Sequence, residues 1–202
     1  ADKPAHGTRL SLSACLKACQ QGIPRGQIIS YAEDGALLQE LFTRDGNGTL
    51  VYADNYEQTR SANIDDVGGI LELLAPLEDQ GVLVRRSREV LETEIDRFHV
   101  MEKDNTVIAC AGLYPYGESV AELACVATHP DYRKGGRAAK LLQQLEVTAR
   151  TRGFTELFVL TTQTAHWFVE QGFKEGSLDA LPNQRRDLYN FQRKSKVFFK
   201  SL

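Results

Sequence analysis

Apolar and polar positions change their period several times along the chain, and each change marks an element. Residues 10–18 (LSLSACLKA) carry apolar side chains on one helical face and break off near Gly22, which predicts a short amphipathic helix. A short apolar run at 27–30 (QIIS) predicts a buried strand, 36–43 a second helix closed by Gly46, and 49–53 (TLVYA) another strand. This αβαβ stretch has too little apolar surface to make a domain alone.

From Tyr56 the pattern restarts. YEQTRSA (56–62) reads as a strand, 64–78 as a helix apolar at Ile64, Val67, Ile70, Leu71, Leu74 and Leu77, and 87–96 as a helix capped by Ser87. Three strands follow at 97–104, 106–117 and 119–129, joined by turns at Asp104-Asn105 and around Glu118 that favour hairpins. After Gly136 comes a helix apolar at Ala138, Ala139, Leu141, Leu142, Leu145 and Ala149. An apolar strand at 156–162, a short helix at 165–171 and a terminal strand at 195–202 complete the order βααβββαβαβ. That order predicts one mixed α/β domain over 55–202, preceded by a fragment over 1–54.

Composition narrows the function classes. The chain of 202 residues is 42% apolar and 25% charged, enough to bury a core. Its net charge of −3 provides no basic field for nucleic acid or an anionic membrane, so any anion must be held by local groups. No apolar run approaches the roughly 18 residues of a membrane span. The N-terminal ADKPAHGTRL lacks the apolar centre of a signal peptide. Four cysteines make no C-x-x-C pair and four histidines no ligand spacing. These features together lead to the expectation of a reduced, cytoplasmic protein without a metal. Met101 is the only methionine, so the chain is expected to start at a processed or cut end.

The stretch HPDYRKGGRAAKLL, residues 129–142, is the strongest chemical signal. Two glycines open an apolar-periodic helix that has no Ser, Thr, Asp or Asn to cap it. The first N–H groups of a helix and the positive end of its dipole attract an anion, and glycines let a phosphate come close. Arg133, Lys134 and Arg137 add cations, while Gly135, Gly136 and Ala138 add small residues. Neither GxxxxGK[ST] nor GxGxxG is present. Spacing alone leaves a glycine turn with exposed basic residues as an equal reading.

The motif Arg133-x-x-Gly136-x-Ala138, after a strand ending in V-x-x-x-P-x-Y, resembles the acyl-CoA-binding pattern [QR]-x-x-G-x-[GA] of the GNAT N-acetyltransferases. WFVEQGF (167–173) is similar to the late helix and following strand of that family. The resemblance implies a GNAT fold, a mixed central sheet flanked by helices, with acetyl-CoA as co-substrate. Its pyrophosphate would sit at Arg133, Lys134, Gly135, Gly136, Arg137 and Ala138, with Cys125 and Val126 serving the acetyl carbonyl and pantetheine through their backbone.

Residues 31–51 are similar to the C-terminal end of an amino-acid-kinase domain, and the run from there into RSANIDDVGG and ELACVATHPDYR resembles the bacterial N-acetylglutamate synthases. This resemblance covers essentially the whole chain. It implies acetyl transfer to the α-amine of L-glutamate, the first step of arginine biosynthesis. It also implies that 1–54 is the remnant of a kinase-like, arginine-sensing domain, with Glu40, Gly46 and Gly48 in its arginine segment. Most of that domain is absent from the sequence, so arginine, the feedback inhibitor of the longer form, is expected to inhibit this chain poorly or not at all. A homo-oligomer with no nucleic-acid or membrane partner is the expected assembly.

Glutamate brings two carboxylates, which suit the planar donor fork of arginine. By resemblance Arg85, Arg193 and Ser195 hold them, helped by the backbone of Leu83. Read without the resemblance, the same basic residues, like Arg86 and Lys194, are a solvated surface. An amine attacks only when neutral, so a base must stand near it, directly or through water. Glu122 lies on a central strand among apolar residues, where partial burial would raise its pKa, and by resemblance it is that base. Alternation places Glu122, Ala124 and Val126 on one face, though an isolated strand glutamate more commonly points outward. Cys125 reads as a small buried residue, since no histidine pairs with it in sequence. Many GNAT enzymes carry a tyrosine acid at the position of Phe168, which has no hydroxyl, so Thr161 at a strand end is the candidate donor to the leaving thiol. A strand-ending β-branched residue explains Thr161 equally well. Transfer to another amine, or a non-catalytic sensor of arginine or acyl-CoA, are the competing functions.

Overall fold

A computed structural model describes residues 6–43, 46–53, 57–133 and 135–202, in two compact units, Ala1–Tyr56 and Glu57–Leu202. The boundary expected after residue 54, the first residue of the strand expected from Tyr56, and Lys134 lie outside the described residues.

The first unit has the expected αβαβ order: α1 (His6–Gln20), β1 (Arg25–Ile28), α2 (Ala36–Phe42) and β2 (Thr49–Tyr52). The two strands are antiparallel, with Arg25 opposite Tyr52 and Ile28 opposite Thr49. Helix α1 approaches β1 so closely that a Cβ on Gly26 would stand 2.9 Å from Cys15 Sγ, which is why a glycine interrupts the strand. The buried strand expected at 27–30 differs in two ways. It lies two residues earlier, and its residues alternate between exposed and half-buried. A two-stranded sheet buries little, and among the described residues of this unit only Cys19 and Ala36 are buried. Glu40 ties α2 to the following loop by accepting the Asn47 and Gly48 backbone N–H groups, each at 2.7 Å.

The second unit is built on seven strands: β3 (Gln58–Ser61), β4 (Phe98–Lys103), β5 (Thr106–Tyr116), β6 (Val120–Thr128), β7 (Glu156–Thr161), β8 (Lys174–Gly176) and β9 (Lys196–Ser201). Their order in the sheet is β3-β4-β5-β6-β7-β9-β8, and among the described residues β6 with β7 is the only parallel pair. The Asp104-Asn105 turn has positive φ at both residues, 49° and 58°, the backbone a two-residue hairpin of matched twist requires.

Helices α3 (Val67–Asp79) and α4 (Arg88–Thr93) cover one face; α5 (Arg137–Thr151) and α6 (Ala165–Glu170) cover the other. On α3 the apolar stripe Val67, Ile70, Leu73 and Leu74 packs on Phe98, Val100 and Cys110 of the sheet. On α5, Leu141, Leu142, Leu145 and Ala149 pack on Met101, Ile108, Leu113 and Leu123. Each fully buried leucine contributes about 1.5–3 kcal/mol over an exposed one. Ser87 caps α4, accepting the Val90 N–H at 3.4 Å. The helix expected from Ile64 instead begins as a 3-10 turn over Ile64–Asp66, with Ile64 exposed. Asn63 caps that turn, and Arg60 holds the buried Asp66 through both terminal guanidinium nitrogens, at 2.7 and 2.8 Å. Strand β8 and a short helix α7 (Asn183–Asp187) lie where the sequence pattern showed only loop.

Candidate active site

The site begins with a fault in β6. Gly112 of β5 faces Ala124, but Cys110 faces Ala127, so Cys125 and Val126 together oppose Ala111. This is a β-bulge, and Cys125 takes it up with a φ of 54°, a region that residues other than glycine seldom adopt. The bulge overturns the expected alternation. Ala124 and Cys125 both pack with the α3-side core, and Val126 crosses to the α5-side core. Val126 therefore does not share a face with Ala124.

On its other edge β6 pairs with β7 only from Val120 to Glu122, opposite Glu156 to Phe158. Beyond Glu122 the strands part and leave a cavity of about 430 Å³. One wall is β6 from Leu123 to Thr128; the other is the end of β7, with Thr161, and α6, with Trp167 and Phe168. Leu83 closes it on the α3 side, and Arg133 and Ala138 lie at the start of α5. Cys125 and Val126 line it, and the extra residue of the bulge holds backbone groups outside the strand ladder.

Helix α5 starts without a side-chain cap. Gly136 occupies the cap position with a φ of 70°, which calls for glycine. Its carbonyl accepts the Lys140 N–H at 2.9 Å, while the first N–H groups of the helix have no side-chain acceptor. Gly135 precedes it in the same turn. Arg137 departs from the expectation of a cation facing an anion. Its Nε donates to Glu57 at 2.9 Å and its Nη1 to the Tyr132 carbonyl at 3.2 Å, and its guanidinium lies over the Tyr132 ring at 5.1 Å. Committed this way, Arg137 offers its backbone N–H rather than its charge.

Glu122 is 7% exposed, and its surroundings are not the apolar ones its sequence neighbours suggested. Arg185 of α7 grips it with two bonds, Nε to Oε2 at 2.6 Å and Nη2 to Oε1 at 3.1 Å. Burial works against the Arg185 charge, but Glu122 outweighs it and raises the guanidinium above its usual range. Burial, then the charge of Glu122, also raises the Tyr116 hydroxyl. The Cys125 thiol is pushed up to about 12, chiefly by burial, consistent with a packed residue rather than a nucleophile. Thr161 is buried at the cavity wall, its hydroxyl 2.8 Å from that of Thr164.

The expected acceptor residues divide. Arg193 donates to the carbonyls of Val82, at 2.6 Å, and Gly81, at 3.3 Å, which fixes the turn carrying Leu83. Ser195 accepts the Tyr189 hydroxyl on its carbonyl at 2.7 Å. Arg85 is not brought to the cavity: its side chain is 81% exposed and pairs with Asp79 at 3.2 Å. The neighbouring Arg86, read as a surface charge, is half-buried and lies over the Tyr114 ring at 5.6 Å. Arg185 and Thr164 were missed because both come from segments with no apolar period of their own. Among the described residues no group of three His, Cys, Asp or Glu side chains could hold a metal.

Residues 69–173 match the acetyltransferase (GNAT) family. The chain belongs to the GNAT acetyltransferases. Curated relatives of this GNAT chain include an amino-acid acetyltransferase of Azotobacter vinelandii, 59% identical over 95% of this chain and 44% of the relative. One of Pseudomonas aeruginosa is 56% identical over 98% of this chain and 48% of the relative. The chain thus spans about half the length of the curated relatives it matches. It is also similar to an N-acetylglutamate synthase from Neisseria gonorrhoeae solved with coenzyme A and L-arginine. That likeness has a TM-score of 0.87 at 38% identity, over 98% of this chain and 46% of the other. A second structure of that synthase, with coenzyme A and N-acetyl-glutamate, gives a TM-score of 0.71 at 39% identity, over 98% of this chain and 47% of the other.

Proposed function

We propose that this GNAT chain transfers the acetyl group of acetyl-CoA to the α-amine of L-glutamate, giving N-acetyl-L-glutamate and CoA. The observation that carries the reading is the cavity between β6 and β7, lined by Ala138 of the uncapped, glycine-started α5 and by β6 from Leu123, the residue that follows the buried Glu122. The amino-acid acetyltransferases and the synthase solved with N-acetyl-glutamate support this choice of acceptor.

In this reading the N-terminus of α5, with Gly135, Gly136, Ala138, the side chain of Arg133, and Lys134, holds the pyrophosphate. Glu122 takes the amine proton through a water, and the amine nitrogen bonds to the thioester carbonyl carbon as the carbon–sulfur bond breaks. Backbone groups of Cys125 and Val126 stabilise the carbonyl oxygen as it gains charge. Thr161 gives a hydrogen bond to the departing thiolate. Leu83, Arg193 and Ser195 bound the acceptor side, and Arg85 reaches it only by leaving Asp79.

A thiol-release assay with saturating acetyl-CoA tests the reaction. CoA release that depends on L-glutamate supports it, and none with both substrates saturating overturns it. The reading extends to a cytoplasmic homo-oligomer acting in the first step of arginine biosynthesis, and to residues 1–54 as the end of a kinase-like domain.

A further inference from the structure

The carboxylate assigned as proton acceptor is gripped on both oxygens by a guanidinium. Both side chains are largely removed from water, 19% exposed for Arg185 and 9% for Glu122. Separating such a pair without a substitute leaves two uncompensated buried charges. Water is a poor substitute there, whereas a second carboxylate matches the donor fork of Arg185 as well as Glu122 does. An amino acid whose amine lies within a water's reach of Glu122 carries its α-carboxylate one carbon from that amine. The acceptor therefore brings the needed anion to the place where it is needed.

We propose that Arg185 is an exchange clamp: it passes from Glu122 to the α-carboxylate of the incoming acceptor, which selects an amino acid over a simple amine and frees Glu122 for the proton. The inference rests on the reading of the chain as a glutamate acetyltransferase. The other groups that reach Glu122, Arg185 or their neighbours electrostatically do not replace that anion. Tyr116 from β5 and Cys125 on β6 are both raised in pKa and hence neutral, and Arg86, before α4, is a further cation acting on Arg185. The position of Arg185 suits a part that moves. It sits on α7, a helix of five residues whose N-cap, Pro182, makes no side-chain cap bond. Its two side-chain bonds both go to Glu122, 63 residues away in sequence.

The test compares L-glutamate with its α-amide and its γ-amide (glutamine) as acceptors, in the wild-type chain, Arg185→Gln and Arg185→Lys. In Arg185→Gln the preference in kcat/KM for glutamate over the α-amide is expected to fall by roughly 10-fold or more, carried mainly by KM for glutamate. The preference over glutamine stays, a split that general loss of structure would not produce. Arg185→Lys, which keeps the charge and loses the fork, is expected to fall between. An unchanged α-amide ratio in Arg185→Gln overturns the clamp, and if that variant does not fold, an unchanged ratio in Arg185→Lys does so. No turnover of glutamate by the wild-type chain overturns the reaction and the clamp with it; turnover with an unchanged ratio overturns the clamp alone.

Discussion

Thr161 Oγ1 lies 2.8 Å from Thr164 Oγ1 and accepts the Thr164 backbone N–H at 3.1 Å. The two hydroxyls therefore form a hydrogen-bonded pair at the cavity wall, in which either can be the donor. Thr161→Val, which keeps the shape and removes the hydroxyl, is expected to lower kcat by roughly 10-fold with little change in either KM. Thr161→Ser should retain most of the rate. A Thr161→Val enzyme with unaltered kcat would remove Thr161 from the chemistry.

Glu122 is expected to act as a base, not only as the partner of Arg185. Glu122→Gln, read in steady-state assays, should lose about 100-fold or more in kcat, in the range general bases contribute. Acetyl-CoA affinity measured by calorimetry should change little. A loss confined to KM would assign Glu122 to binding.

Arg133 lies at the mouth of the cavity and Arg137 is occupied by Glu57. Arg133→Ala is therefore expected to raise KM for acetyl-CoA by roughly 10-fold and to leave kcat near its starting value. The pantetheine thioester, which lacks the pyrophosphate, should discriminate less between wild type and variant, whereas the dephospho thioester, which keeps it, should discriminate as fully. An equal fall in kcat and kcat/KM would contradict the assignment.

Lys200 donates to Glu146 and, at 2.7 Å, to the Gln171 carbonyl, tying β9 to α5 and to the end of α6. Lys200→Met leaves the buried Glu146 carboxylate short of a partner and is expected to cost about 2 kcal/mol in urea unfolding. The double variant with Glu146→Gln should recover part of that loss. Additive losses would show that the pair is not coupled.

His99 is 4% exposed, its Nδ1 is buried without a partner among the described residues, and its Nε2 is 3.5 Å from the hydroxyls of both Ser61 and Thr148. Burial, then the charge of Arg152, lowers its pKa below 6.5. The unfolded chain then binds a proton that the folded chain resists, so stability present above about pH 6.5 is lost as pH falls. Thermal unfolding followed from pH 7.5 to 5 is expected to show a smaller acid loss for His99→Gln than for wild type. Parallel curves would dismiss the effect.

Hydrophobic period and turn chemistry exposed most of the fold, because β4 to β7 and α5 are each long enough to carry their own pattern. Asp104-Asn105 and Ser87 were legible for the same reason: a local geometry demands those residue types. Arg133, Gly136 and Ala138 were legible as a spaced motif. Glu122 was legible only as a position, since its partner lies 63 residues on in a five-residue helix. The Arg137–Glu57 pair spans 80 residues and left no trace in spacing. Arg85 and Arg86 could not be told apart from sequence, because they are consecutive residues of one type. The facing of Val126 was misread because a bulge adds a residue without changing the apolar pattern.

That bulge makes the site depend on a count of residues more than on their kinds. Removing one residue at Cys125 or Val126 would leave Ala127 opposite Cys110, on the face it already shares with Ala124, but would erase the bulge and let β6 rejoin β7. An insertion in the Asp104-Asn105 hairpin would change only the length of a surface turn. Length variation in this domain should therefore be absorbed at its turns and refused in the middle of β6, where a single deletion would close the cavity that a dozen conservative substitutions around it would leave open.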